Sequence, residues 1–70
     1  MERIPVQSSN LSAVGYDPAT EILEVEFLNG SIYEYKNVPQ IVYDQFMSAS
    51  SLGSYFNREI SRNFPFSKIG

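Results

Sequence analysis

The run Leu23-Glu24-Val25-Glu26-Phe27-Leu28-Asn29-Gly30-Ser31-Ile32-Tyr33-Glu34-Tyr35 constrains this chain most. Leu23, Val25 and Phe27 alternate with Glu24 and Glu26, the period of a half-buried strand. Asn29-Gly30 follows, and both residues tolerate the positive φ of a hairpin turn. A two-residue loop would place Phe27 opposite Ile32 and put Tyr33 and Tyr35 on the glutamate face. A three-residue loop, Leu28-Asn29-Gly30 with Gly30 left-handed at a bulge, shifts the pairing by one. Val25 then faces Tyr33, and Leu23 faces Tyr35. A slip of one residue flips every side chain, so burial selects this second register and leaves Glu24, Glu26 and Glu34 on the other face.

The flanking residues extend the hairpin into a layered domain. Leu11 to Tyr16 reads as a strand, weakened at Gly15, and Asp17-Pro18-Ala19-Thr20 has the Asp and Pro of a type I turn. These segments predict a three-stranded antiparallel meander. Met1 to Asn10 is polar and carries Pro5, which suits a frayed end or a short edge segment. Pro39 suits the start of a helix running to about Ala49, with Val42, Tyr43, Phe46 and Ala49 on one face. Ser50-Ser51 interrupts it and can cap a second helix, about Leu52 to Asn63, which stacks Leu52, Phe56 and Ile60. Pro65 ends that helix, and the apolar tail Phe64 to Gly70 is expected to dock. The fold class is therefore α+β: a three-stranded antiparallel β-meander with two C-terminal α-helices packed on one face.

Seventy residues hold one domain. A domain of this size buries only about 60% of its unfolded surface, so a disulfide, a metal or a partner commonly assists it. This chain has no Cys and no His. Disulfides and thiolate chemistry are excluded, the commonest metal ligand is missing, and self-association remains a second source of stability. Five Tyr and five Phe supply core volume in the absence of Trp. The first residues lack the pattern of a signal peptide, and no apolar run approaches a membrane span. The expectation is a soluble, cytoplasmic protein with no membrane contact and no cofactor.

Catalytic patterns are also missing. The glycines are too dispersed for a phosphate loop, and imidazole- or thiolate-based nucleophiles are impossible. Glu24 and Glu26 share a strand face, where a solvated, solubilising role outweighs acid–base chemistry. Asp17 and Glu21 lack the shaped loop that a hard cation needs. A non-enzymatic module without metal is expected.

For binding, Tyr33 and Tyr35 could stack on unpaired bases, but the register assigns them to the core. The open sheet face, with three glutamates, would repel phosphates. The net charge of −3 argues against nucleic-acid binding by the whole surface. A local candidate remains on the second helix, where Tyr55, Arg58 and Arg62 fall at i, i+3 and i+7. Helix-terminal arginines are ordinary in any fold, and Glu59 and Asn57 lie beside Arg58. Ser51 and Gly53 open the same helix, as a simple cap or as N–H donors to an anion. Ile41 falls on the polar side of the first helix as a lone exposed apolar residue.

The pattern as a whole resembles the KTSC domain family. The resemblance rests on Val6-x-Ser8-Ser9, Val14-Gly15-Tyr16-Asp17, Leu23-x-Val25-x-Phe27-x-x-Gly30-x-x-Tyr33-x-Tyr35, Val38-Pro39 and Ala49-Ser50-Ser51-x-Gly53-x-Tyr55-Phe56-Asn57. It covers about residues 6 to 64; Tyr33-Glu34-Tyr35 and the segment Ser51 to Asn57 are its most specific parts. That family takes its name from the C-terminal extension of some lysyl-tRNA synthetases and also occurs as free-standing bacterial proteins. The resemblance implies RNA, or an RNA-associated protein, as partner. The alternative is a protein–protein or homodimerisation module that does not bind nucleic acid.

Overall fold

The computed structural model describes residues 1–70. Five antiparallel strands lie in chain order across one sheet: β1 (Ile4–Pro5), β2 (Leu11–Asp17), β3 (Ile22–Phe27), β4 (Ile32–Tyr35) and β5 (Phe66–Lys68). The central hairpin takes the register that burial selects. Val25 pairs with Tyr33 and Leu23 with Tyr35. Phe27 N–H donates to Ser31 O at 2.8 Å, Gly30 N–H donates to Phe27 O at 2.9 Å, and Gly30 has φ 93°. The loop is thus Leu28-Asn29-Gly30, with glycine in the one position that needs a left-handed backbone.

The sheet is wider than the expected three strands. β1 has two residues, too few for alternation to register, and it pairs along β2 as an edge strand. β5 has three residues directly after Pro65, and its pairing with β4 docks the apolar tail. Both additions are short edge strands, which limits further pairing of the sheet. Gly15 explains how the N-terminus reaches the open face. A Cβ there would lie 2.7 Å from Glu2 O and 3.1 Å from Arg3 Cγ, so only glycine lets the chain cross at this height. Arg3 in turn reaches Glu24 at 2.5 Å and Glu26 at 3.4 Å, covering two of the three glutamates on that face.

The helices cover the other face. α1 spans Gln40–Ser48, one residue inside each expected end, with Pro39 as its N-cap. α2 is a single turn, Leu52–Tyr55. It continues as a π-helical turn, Phe56–Ile60, rather than as α-helix to Asn63. Ser61 N–H bonds to Phe56 O at 2.9 Å, the i→i+5 bond of a π-turn. The widened turn keeps Phe56 and Ile60, four residues apart, both buried. The buried core joins them to Leu11, Val14, Leu23, Val25, Tyr35, Val38 and Phe46. No helix is long and apolar enough to cross a membrane.

Candidate binding groove and its family

Two faces of the π-helical turn lead to different surroundings. On one side, Tyr55 turns toward α1: its ring stacks on Phe46 at 5.9 Å, and its hydroxyl donates to Gln45 Oε1 at 3.3 Å. Arg58 lies over the Tyr55 ring at 5.9 Å and donates from Nε to Glu59 Oε2 at 3.1 Å. Arg62 falls in the turn beyond Ile60, so α-helical spacing from Tyr55 no longer places it. It makes no ion pair. The structure therefore joins Tyr55 to Arg58, leaves Arg62 as a separate free cation, and occupies one ring face of Tyr55.

Ser51 and Gly53 are engaged locally. Ser51 Oγ accepts from Ser54 N–H at 3.3 Å, capping the short helix with its own side chain. Gly53 faces the N-terminal loop, where a Cβ would sit 3.6 Å from Ser8 Oγ and 3.8 Å from Asn10 Nδ2. These two residues serve local packing.

On its other side the π-turn lines a groove of ≈ 420 Å³. Five rings form a closed circuit around it. Phe27 contacts Tyr33 at 5.7 Å, Tyr33 contacts Phe66 at 6.0 Å, and Phe66 contacts Tyr35 at 5.5 Å. Tyr35 contacts Phe56 at 5.3 Å, and Phe56 returns to Phe27 at 5.6 Å. The contacts at Phe27–Tyr33, Tyr35–Phe56 and Phe27–Phe56 are edge-to-face, a favoured aromatic geometry that leaves ring faces uncovered by a parallel neighbour. Asn29, Ser31, Asn57 and Ser61 complete the lining, so the rim is polar and uncharged.

The polar groups of the groove are unevenly committed. Asn29 Oδ1 accepts from Ser31 N–H at 3.0 Å, and Ser61 Oγ donates to Asn57 O at 3.0 Å. The Asn57 amide has no hydrogen bond within the protein. Tyr35 is only 4% exposed, and its hydroxyl also lacks a protein partner. Burial first, then the neighbouring Tyr33, pushes the Tyr35 phenol above its ordinary value.

Charge is distributed about this groove asymmetrically. Arg58 and Arg62 each follow a wall residue, Asn57 and Ser61. Lys68 pairs with Tyr33 across the sheet and lies on the same strand face as Phe66. From residue 52 onward the only acid is Glu59, although the whole chain is acidic. Asp17, Glu21 and Asp44 instead surround Tyr16, and Glu24, Glu26 and Glu34 lie on the far face of the sheet. No group of three or more His, Cys, Asp or Glu side chains converges to hold a metal.

The hairpin register assigns Tyr33 and Tyr35 to the core, and no spacing in the sequence marks Phe27, Asn57, Ser61 and Phe66 as a surface. The signal was the proximity of two motif segments in the fold. Tyr33-Glu34-Tyr35 and the Phe56-Asn57 end of Ser51 to Asn57 both contribute to this groove.

Known proteins match this chain along most of its length. The profile of the KTSC domain matches residues 7–64. An uncharacterized protein from Stutzerimonas stutzeri is 48% identical over 58 residues, covering 83% of this chain and 82% of that protein. A lysine–tRNA ligase from Nostoc sp. is 38% identical over 63 residues, which is 90% of this chain but only 11% of the ligase. The crystal structure of a KTSC domain protein from Yersinia pestis superposes with a TM-score of 0.92 at 41% identity, covering 99% of this chain and 97% of that one. With most of its length matched in both sequence and fold, this chain belongs to the KTSC domain family.

Proposed function

We propose that this domain is a non-enzymatic binding module for single-stranded RNA. The observation that carries the reading is the cationic end of an otherwise acidic chain: Arg62 follows the groove residue Ser61, Lys68 shares a strand face with the groove residue Phe66, and Arg58 lies over Tyr55 on the other side of the same turn, with Glu59 as the only acid from residue 52 onward. Unpaired nucleic acid is held by positive charge along its backbone and by aromatic rings against its bases. Guanidinium groups suit both phosphate oxygens and base faces. The relation to part of a lysine–tRNA ligase, 11% of its length, adds an RNA setting.

Few phosphates would be engaged, so the contact is weak and its salt dependence shallow. Anisotropy of a labelled single-stranded RNA hexamer, titrated with protein across a salt series, is expected to give a log–log slope shallower than about −2. Arg58→Glu/Arg62→Glu should abolish binding. Equal binding by the double variant, or no binding by the wild type at sub-millimolar concentrations, would remove RNA as partner. A protein–protein contact through apolar surface is the competing reading; it predicts salt-independent association.

A further inference from the structure

We infer that the five-ring groove takes one unpaired nucleobase of the bound strand, with the Asn57 amide reading its edge. The inference rests on the RNA-binding reading and assigns it a base site that the arginines alone do not provide.

Three independent features meet there. Shape comes first: Phe27, Tyr33, Tyr35, Phe56 and Phe66 line an open groove of ≈ 420 Å³, with Phe66 itself 55% exposed. Phe66 is the exposed ring of the circuit, Tyr35 and Phe56 being only 4% exposed each, and a base offers it a flat partner whatever its sequence. Chemistry comes second. Asn57 carries an unused carboxamide that both donates and accepts, matching the paired donors and acceptors on a base edge. Tyr35 lines the groove, and its hydroxyl has no partner within the protein yet is not sealed from solvent, so a ligand in the groove can reach it. Charge comes third. Arg62 and Lys68 make no ion pair; Arg62 follows the wall residue Ser61 and Lys68 shares the strand face of Phe66, which supplies cations next to the lining for phosphates that flank a seated base. An aliphatic peptide would match the rings but would leave Asn57 and the cations unused.

The π-helical turn carries one wall of the site. Asn57 and Ser61, four residues apart, lie on one face of this turn, which closes through the i→i+5 bond from Ser61 N–H to Phe56 O. Such widened turns occur often at functional positions.

The test compares an intact RNA hexamer with one carrying abasic ribose at every position. It uses the wild-type protein, Phe66→Ala and Asn57→Ala. Phe66 is exposed on an edge strand, so its removal leaves the core in place. The intact hexamer should bind about tenfold more tightly than the abasic one, Phe66→Ala should erase most of that difference, and Asn57→Ala should reduce it severalfold. If both hexamers bind alike, or if Phe66→Ala keeps the difference, the base site is wrong while the RNA-binding reading stands. Binding of neither hexamer would overturn both. Free nucleoside monophosphates form a further arm: affinity equal to that of the intact hexamer would replace RNA with a mononucleotide as the ligand.

Discussion

Tyr16 and Tyr35 flank Leu23 in one cross-strand row. The Tyr16 hydroxyl donates to Val38 O at 2.6 Å, and its ring stacks flat on Tyr43 at 4.5 Å and 9°. Tyr35 meets Phe56 edge-on at 87°, and its hydroxyl has no partner within the protein. The surroundings differ in the same sense. Glu21, Asp44 and Asp17 act on Tyr16, whereas the groove that Tyr35 lines includes Ser61, the neighbour of Arg62, and Phe66, on the strand face of Lys68. One corner of the sheet has closed its aromatic and polar surfaces on themselves. The other keeps the exposed Phe66 ring, an amide and a hydroxyl available. The contrast separates residues that hold the domain together from residues that can bind something else.

Truncation should break the symmetry first. Tyr16→Ala removes a stacked ring and a hydrogen bond, and is expected to cost about 3 kcal/mol, at the low end for large aromatic deletions because Tyr16 is half-buried. Phe66→Ala removes an exposed ring and should cost under about 1 kcal/mol. Urea unfolding of both variants checks this; equal losses would mean that the groove corner is as much a structural core as the Tyr16 corner.

Isosteric changes sharpen the comparison. Tyr16→Phe loses one hydrogen bond to a backbone carbonyl and should cost about 1 kcal/mol. Tyr35→Phe loses a hydroxyl that bonds to no protein group, and its stability should stay within about 0.5 kcal/mol of wild type. A larger loss at Tyr35 would show that the hydroxyl has a structural partner after all.

The alkaline limb gives the smallest effect. Burial raises both phenols above the ordinary value of 10.0, with the three acids adding to the rise at Tyr16. The folded state then keeps protons that the unfolded state releases. Stability should be fully present below pH 10 and fall as pH rises through the folded-state values. Unfolding midpoints measured from pH 9 upward should decline less in Tyr16→Phe than in wild type. An unchanged decline would remove Tyr16 as a contributor.

The central hairpin was legible in the sequence because two independent signals agreed. Alternation from Leu23 to Phe27 and the position of Gly30 select the same register, and a slip would have exposed both tyrosines. The edge strands were not legible: Ile4–Pro5 and Phe66–Lys68 are too short to carry a period, and tertiary pairing alone makes them strands. The π-turn left no trace either, since Leu52, Phe56 and Ile60 fit an ordinary helix equally well. That concealed the groove. The burial argument placed Tyr33 and Tyr35 on the helix-covered face, which is where they lie, but nothing in the spacing of apolar residues says that this face stays open at one corner. The Arg58 and Arg62 stripe was read as helical, and the structure retains its charge while turning Tyr55 toward α1.

The most direct measurement is a map of amide shifts in the uniformly 15N-labelled domain on addition of a short single-stranded RNA. Shifts should concentrate at Asn29 to Tyr33, Asn57 to Arg62 and Phe66 to Lys68, with Asp17 to Glu21 and Asp44 unmoved. Shifts centred on the Tyr16 corner, or spread evenly over the acidic face with Glu24, Glu26 and Glu34, would contradict the assignment of the open groove as the binding surface.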